Sequence, residues 1–374
     1  MTSTKGIVIK LLVGSSMVVG LASNAFATLT TFYSLSGNIG LSTDGGGSIA
    51  STLPNGINAE VPAGSTVVQA YLFTSTNGTT GSAAGSPAIP SYAGGTFSGT
   101  TVSYTSLPPN VDESGLQAGV VDVTSLVAAA INPGGVAATG GVYNFAVTET
   151  NSGNQDGEIL DVIYSNPSLP TTSIGILAGG SASAGDTSAI NFASNPAGDT
   201  VLMSVGDGYS YDISSSGQDS TITVDGSLLT AAAGNCDLSQ DGGTPPNPTV
   251  CYNGDLITDG VLGLNANGSV DTGFSNPFTT IGDTNVQTDH ELYNISPLIL
   301  SSAGDTISLT TTNSSFDDNI FTEAFVVDGI AGFNAPPPPP NGPPSSVIPE
   351  PSTLSLLGLG MSSLGMLIRR RRAA

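Results

Sequence analysis

The residues able to do chemistry are few, and their spacing limits what they can do. Cys236 and Cys251 stand 15 residues apart. In an exported chain that spacing suits a disulfide closing a proline-containing loop, worth about 3 kcal/mol in the chain-entropy view. Two free or metal-binding thiols are the alternative. Asn235, Asp237, Ser239 and Asp241 alternate ahead of Gly242-Gly243. Oxygen ligands at every second position before a glycine have the spacing of the first half of a calcium loop. The acid expected about six residues further on is missing, because that region reads Thr244-Pro245-Pro246-Asn247-Pro248. A polar loop of turn-forming residues has the same composition. Asp317-Asp318 and the stretch from Asp283 to Glu291 are two further acidic turns. Apart from a possible Ca2+ at such turns, the residues imply no cofactor.

Catalytic constellations are harder to assemble. His290 is the single histidine, so a Ser-His-Asp catalyst would have to use it. Its neighbours Asp289 and Glu291 would point away from it on a strand, and no Gly-x-Ser-x-Gly elbow surrounds a serine. One His and two Cys are too few for a four-ligand zinc site. A carboxylate pair about 5–10 Å apart would suffice to hydrolyse glycosides. No particular pair is singled out by the sequence, and the absence of Trp removes the usual sugar-stacking platform.

Charge excludes more. The 374 residues include 29 Asp or Glu and 6 Lys or Arg, for a net charge of −23. Lys5 and Lys10 lie at one end and Arg369 to Arg372 at the other; nothing between them is Lys or Arg. A nucleic-acid partner is excluded, because phosphates are neutralised by Lys and Arg. Phosphate-binding loops that depend on a Lys are excluded with it. Of the 29 acids only Glu350 lies outside residues 28–334, which leaves 28 acids in a stretch without a Lys or Arg.

Both ends read as addresses. Lys5 and Lys10, the apolar run Leu11 to Leu21 and the small residues Ala25 and Ala27 form a secretory signal over residues 1–27, of the kind passed to the Sec translocon. Thr28 would begin the mature chain. At the other end, residues 335–346 are a proline-rich linker that includes Pro336 to Pro340. Pro349-Glu350-Pro351 follows, then the uncharged apolar stretch Leu354 to Ile368, then Arg369, Arg370, Arg371 and Arg372. As a helix the stretch spans roughly 22 Å, short for a bilayer core of about 30 Å. The arginines after it would stay cytoplasmic.

This order of parts over residues 347–374 resembles the PEP-CTERM sorting signal of exported proteins in Gram-negative bacteria that also make extracellular polysaccharide. The resemblance implies a transient inner-membrane anchor, processing near Pro349, Glu350 and Pro351 by an exosortase-type membrane protease, and delivery to the cell surface or extracellular matrix. It implies a destination and no reaction.

Residues 28–334 predict an all-β body. Short β-branched and aromatic runs between Gly, Asn, Asp and Pro are expected strands at Thr66–Thr74, Val142–Thr150, Glu158–Ser165, Ser173–Ala178, Thr200–Val205, Ser220–Val224, Thr306–Thr311 and Phe321–Val327. One short helix is expected over Thr124–Ile131, ahead of Pro133-Gly134-Gly135. Many short strands without an internal repeat predict a β-sandwich or jelly-roll-like unit, either single or split near 180–200. The series Asp122–Val127, Gly141–Phe145, Leu160–Tyr164, Pro167–Pro170 and Ile174–Gly179 resembles β-sandwich surface domains of adhesin-like bacterial proteins, which have no common catalytic residues. The expectation is a non-enzymatic surface or matrix protein in adhesion or in association with extracellular polysaccharide, as in a biofilm. A lectin-like carbohydrate-binding module and a secreted glycoside hydrolase are the alternatives.

Overall fold

In the computed structural model the described residues are 29–46, 56–77, 94–108, 116–150, 155–182, 185–196, 198–208, 220–233, 257–259, 293–299, 305–313 and 319–337. They form strands β1 (Thr30–Gly37), β2 (Ile39–Gly46), β3 (Ile57–Val61), β4 (Thr66–Asn77), β5 (Gly94–Phe97), β6 (Thr100–Ser103), β7 (Thr105–Ser106) and β8 (Leu116–Asp122). Helix α1 (Thr124–Ile131) is followed by β9 (Gly141–Phe145), β10 (Val147–Glu149), β11 (Gln155–Ser165), β12 (Thr172–Ala178), β13 (Thr187–Phe192) and β14 (Val201–Gly208). The chain goes on through β15 (Ser220–Val224), β16 (Ser227–Ala233), β17 (Ile257–Asp259), β18 (Tyr293–Asn294), β19 (Thr306–Asn313), β20 (Asn319–Asp328) and β21 (Ala331–Phe333). The fold is all-β, as the strand pattern predicts.

The strands pair antiparallel into layers. A central sheet has the order β1-β12-β20-β14-β17, with β18 also on β14. An inner sheet, β2-β11-β4-β8-β7, covers one of its faces, and an outer sheet, β16-β15-β19-β13-β21, covers the other. β2 lies against both β12 and β17, so it runs across the central sheet, as in orthogonal sheet packing.

Three apolar layers follow from strand alternation. Ile159 and Ile163 of β11 meet Ile174 and Ile176 of β12 between the inner and central sheets. Met203 and Phe325 meet Ile222, Ile307 and Phe333 between the central and outer sheets. Leu160, Val162 and Tyr164 face the other way, against Val127 and Ile131 of α1, Ile57 of β3 and the stacked rings of Phe97 and Phe145. β11 and β20 are therefore covered on both faces, which explains their nearly continuous apolar sequences.

One expected strand is two. Val142–Thr150 breaks at Ala146, whose carbonyl accepts from Ser98 N at 2.8 Å. β9 pairs with β3, whereas β10 pairs with β5 in a separate small sheet. Phe145 and Val147 enter the same apolar layer from different sheets.

Two glycines make room for aromatic rings, Gly40 across a strand pair and Gly175 between layers. A Cβ on Gly40 would lie 2.6 Å from the Tyr164 ring, and one on Gly175 would lie 2.3 Å from the Phe333 ring. Phe333 also stacks on Phe325, with ring centroids 5.8 Å apart, so it has no room to retreat. Gly175→Ala is expected to cost about 1–3 kcal/mol by overpacking, read as a lower urea midpoint with an unchanged slope.

Candidate functional site

Acidic residues are the chemically notable groups of the described body, and many lie inside it. Asp44, Glu60, Glu149, Glu158, Asp161, Asp186, Asp207 and Glu323 are all buried. With no Lys or Arg between residues 10 and 369, ion pairing cannot stabilise them as anions. The remaining ways to hold a carboxyl in a protein interior are hydrogen bonding, protonation and cation coordination.

The densest group lies at one end of β11. Its Glu158 is fully buried and accepts from Tyr104 Oη at 3.0 Å and Gln155 Nε2 at 2.7 Å, both on Oε1. Gln155 Oε1 accepts in turn from Gly94 N at 3.3 Å. Glu149, at the end of β10, hydrogen-bonds to Glu158. Two carboxyls joined in this way need a proton between them, and they titrate as a pair. Burial pushes the Glu158 carboxyl well above the usual carboxylate range, against the opposing pull of its hydrogen bonds. The Tyr104 phenol is pushed up by its own burial and by Glu158.

Asp161 projects from the opposite face of β11, with Ile159 and Ile163, into the layer shared with the central sheet. Burial raises its pKa to about 7, offset in part by a hydrogen bond with Thr43, its neighbour across the strand pair. Glu323 on β20 faces the outer sheet. Burial raises it to about 7, Ser188 Oγ donates to Oε2 at 2.6 Å and lowers it, and Asp186 raises it again. Asp44 accepts from Asn58 N, which ties β2 to β3. Beside it, Ser42 Oγ accepts from Glu60 N at 2.9 Å.

Burial favours the protonated form of Glu158, Asp161 and Glu323. Glu149 and Glu158 are in mutual hydrogen bonding, closer than the roughly 5–10 Å that glycoside hydrolysis requires. Both are enclosed. Among the described residues no three His, Cys, Asp or Glu side chains converge as metal ligands.

A sequence reading does not single out this set, although the signal is present. An acid in the middle of a strand that is apolar on both faces has no outward direction: Ile159-Leu160-Asp161-Val162-Ile163 and Phe321-Thr322-Glu323-Ala324-Phe325 are the two cases. The residues chosen from sequence lie elsewhere. Ala25 and Ala27, Cys236 and Cys251, Asn235, Asp237, Ser239 and Asp241, Asp317 and Asp318, His290, and the tail from Pro349 to Arg372 are all outside the described residues.

A groove of about 500 Å3 opens where the body passes into its tail, lined by Asn191, Phe192, Asp305, Thr306, Asn334 and Pro336 among others. Around it the chain is tightly tied. Asn334 N donates to Ala189 O and Ala189 N donates to Asn334 Oδ1, both at 2.8 Å. Asn191 Nδ2 donates to Ala335 O at 3.0 Å.

The tail beyond this point has a family counterpart. Residues 347–372 match the model of the PEP-CTERM protein-sorting motif. The chain carries a PEP-CTERM sorting signal. The matched span takes in Pro349, Glu350, Pro351 and all four arginines, the residues singled out from sequence. A PEP-CTERM signal marks an extracellular protein that reaches the cell surface through a membrane-anchored intermediate and is processed by exosortase, a membrane protease. No curated protein matches the chain. Among the described residues no helix is long and apolar enough to cross a membrane.

Proposed function

We propose that this PEP-CTERM protein is a non-catalytic component of the cell surface or extracellular matrix of a Gram-negative bacterium, acting in adhesion or in association with extracellular polysaccharide. The observation that carries the reading is the placement of the described carboxyls whose pKa is raised furthest. Glu158, Asp161 and Glu323 are enclosed between layers, whereas catalytic acids with such shifts line a cleft. The body presents hydroxyl and amide groups instead, such as exposed Thr187, Thr306 and Asn144.

Two measurements test this. The C-terminus is mapped by mass in wild-type cells and in cells lacking exosortase; the tail is expected to be absent from the first and intact in the second. The mature protein is then assayed in matrix and medium fractions. Retention in the matrix is expected, and a wholly soluble protein overturns the matrix role.

The groove at the tail exit favours a lectin-like module as the second reading. An amide, a carboxylate and a hydroxyl (Asn191, Asp305, Thr306) beside the apolar Phe192 and Pro336 are the groups that bind sugars. Specific, saturable binding on a glycan array would favour the lectin. Repeating the array with millimolar Ca2+ and with chelator tests calcium at Asn235, Asp237, Ser239 and Asp241 or at Asp317 and Asp318, which would make binding or melting temperature calcium-dependent.

A further inference from the structure

The two ends of the described body meet. Leu29, two residues beyond Ala27, is 3 % exposed and belongs to the apolar layer between the central and outer sheets. Asn334 Nδ2 donates to Leu29 O at 3.3 Å, and Thr31 Oγ1 donates to Phe333 O at 2.6 Å. Asn334 takes the left-handed conformation (φ 52°) that turns the chain outward after β21. Gly332 has no side chain because Ala335 O and Pro336 O pack where its Cβ would be, at 2.3 and 2.4 Å. The junction is thus built from the first residues of β1 and the last residues before the tail, more than 300 positions apart in sequence.

The two processing sites stand at very different distances from this junction. Ala27 is two residues from the buried Leu29, so a fully extended chain places it at most about 7 Å from the junction. Pro349 is twelve residues beyond Pro337, which allows a reach of up to about 40 Å. A membrane protease must take an extended segment into its active site while the body stays outside the bilayer. A reach of about 7 Å does not permit this once Leu29 is packed, whereas about 40 Å does.

We propose that the junction fixes the order of maturation: the N-terminal cut after Ala27 precedes closure of β1 onto Asn334, and exosortase cuts the tail of the closed body. This rests on the secretory reading of residues 1–27 and on exosortase processing of the tail. The proline-rich linker serves as the stand-off that makes the second cut compatible with a folded substrate.

Pulse–chase labelling of the full chain in cells with exosortase tests the order, with brief protease treatment at each time point. The expected species appear in sequence: signal removed and protease-sensitive, signal removed and protease-resistant, then resistant with the tail removed. A resistant body that still carries its signal, or a tail-less body that is still sensitive, overturns the proposal. Deletion of residues 338–345 leaves three residues between Pro337 and Pro349, and is expected to keep the tail on a resistant body. Replacement of 338–345 by eight Gly and Ser residues is expected to restore its removal. Equal tail removal in the deletion also overturns the proposal, whereas a wild-type tail that is never removed instead overturns the exosortase reading on which it rests.

Discussion

The folded body is expected to be most stable in mild acid and to lose stability steadily from pH 5 to pH 8. Asp161 and Glu323 have folded-state pKa values of about 7, raised by burial above the range near 4 that they have when unfolded. Between those two values the folded state holds a proton that the unfolded state has released. Stability therefore falls as pH rises, by about 1.4 kcal/mol per pH unit for each such group. Their contribution is complete below the unfolded pKa and is lost as pH rises through about 7. The Glu149–Glu158 pair acts in the same direction, because Glu158 is also raised by burial. For Asp161 and Glu323 alone the loss from pH 5 to pH 7 sums to about 4 kcal/mol. That is a large part of the 5–15 kcal/mol that holds a typical domain folded, and on the order of 10 °C in melting temperature. Melting curves at pH 5, 6, 7 and 8 at fixed ionic strength measure it. A profile that is flat or rises across this range would show that the buried acids are held as anions.

This expectation changes what the charge of the chain means. The formal −23 counts every carboxyl as ionised. Several of those carboxyls lie in apolar layers with no Lys or Arg in the body to pair with them, so burial favours their protonated form and they add less to the field around the protein than the formal count. Sequence shows the lack of cations directly. It does not show which acids are inside, because burial is set by partners far along the chain: Asp161 is covered by the central sheet, and Glu323 by Ser188, 135 residues away.

The same distinction separates what was legible from what was not. Helix α1 lies on the expected residues Thr124–Ile131, and β15 on Ser220–Val224, because turn residues and short apolar runs bound them on both sides. β11 and β20 stand out for similar reasons, as β-branched runs between polar turns. The strands not expected from the sequence include β1 and β2, rich in Ser, Thr and Gly. In β2 the polar residues Ser42, Thr43 and Asp44 are all buried, since both of its faces are covered and each side chain has a partner there. Periodicity assumes one wet face, and this strand has none. The junction at Asn334 is likewise invisible locally: a lone Asn before a proline run reads as a loop until Leu29 and Ala189 are placed beside it. The sorting signal is the opposite case, since a protease and a membrane read it as a linear segment.

Asp161→Asn is expected to destabilise the protein in acid and stabilise it in base, with the two stability curves crossing between. At pH 8 the wild-type carboxyl must either ionise in an apolar layer or hold a proton far below its solution activity. With a folded pKa of about 7 and an unfolded value near 4, this costs about 4 kcal/mol. Asparagine has nearly the same shape and never ionises, so most of that cost disappears. At pH 4.5 the folded wild type is neutral at Asp161, with one O–H and its acceptors to satisfy. Asparagine brings two N–H donors to a place where Thr43 is the polar neighbour identified, which leaves a buried donor unmet at about 1–3 kcal/mol. Urea unfolding of both proteins at pH 4.5 and pH 8 gives the two differences. If Asp161→Asn shifted stability by the same amount and sign at both pH values, Asp161 would not be a proton-holding group, and the slope expected for the whole protein would have to come from the Glu149–Glu158 pair and Glu323 alone.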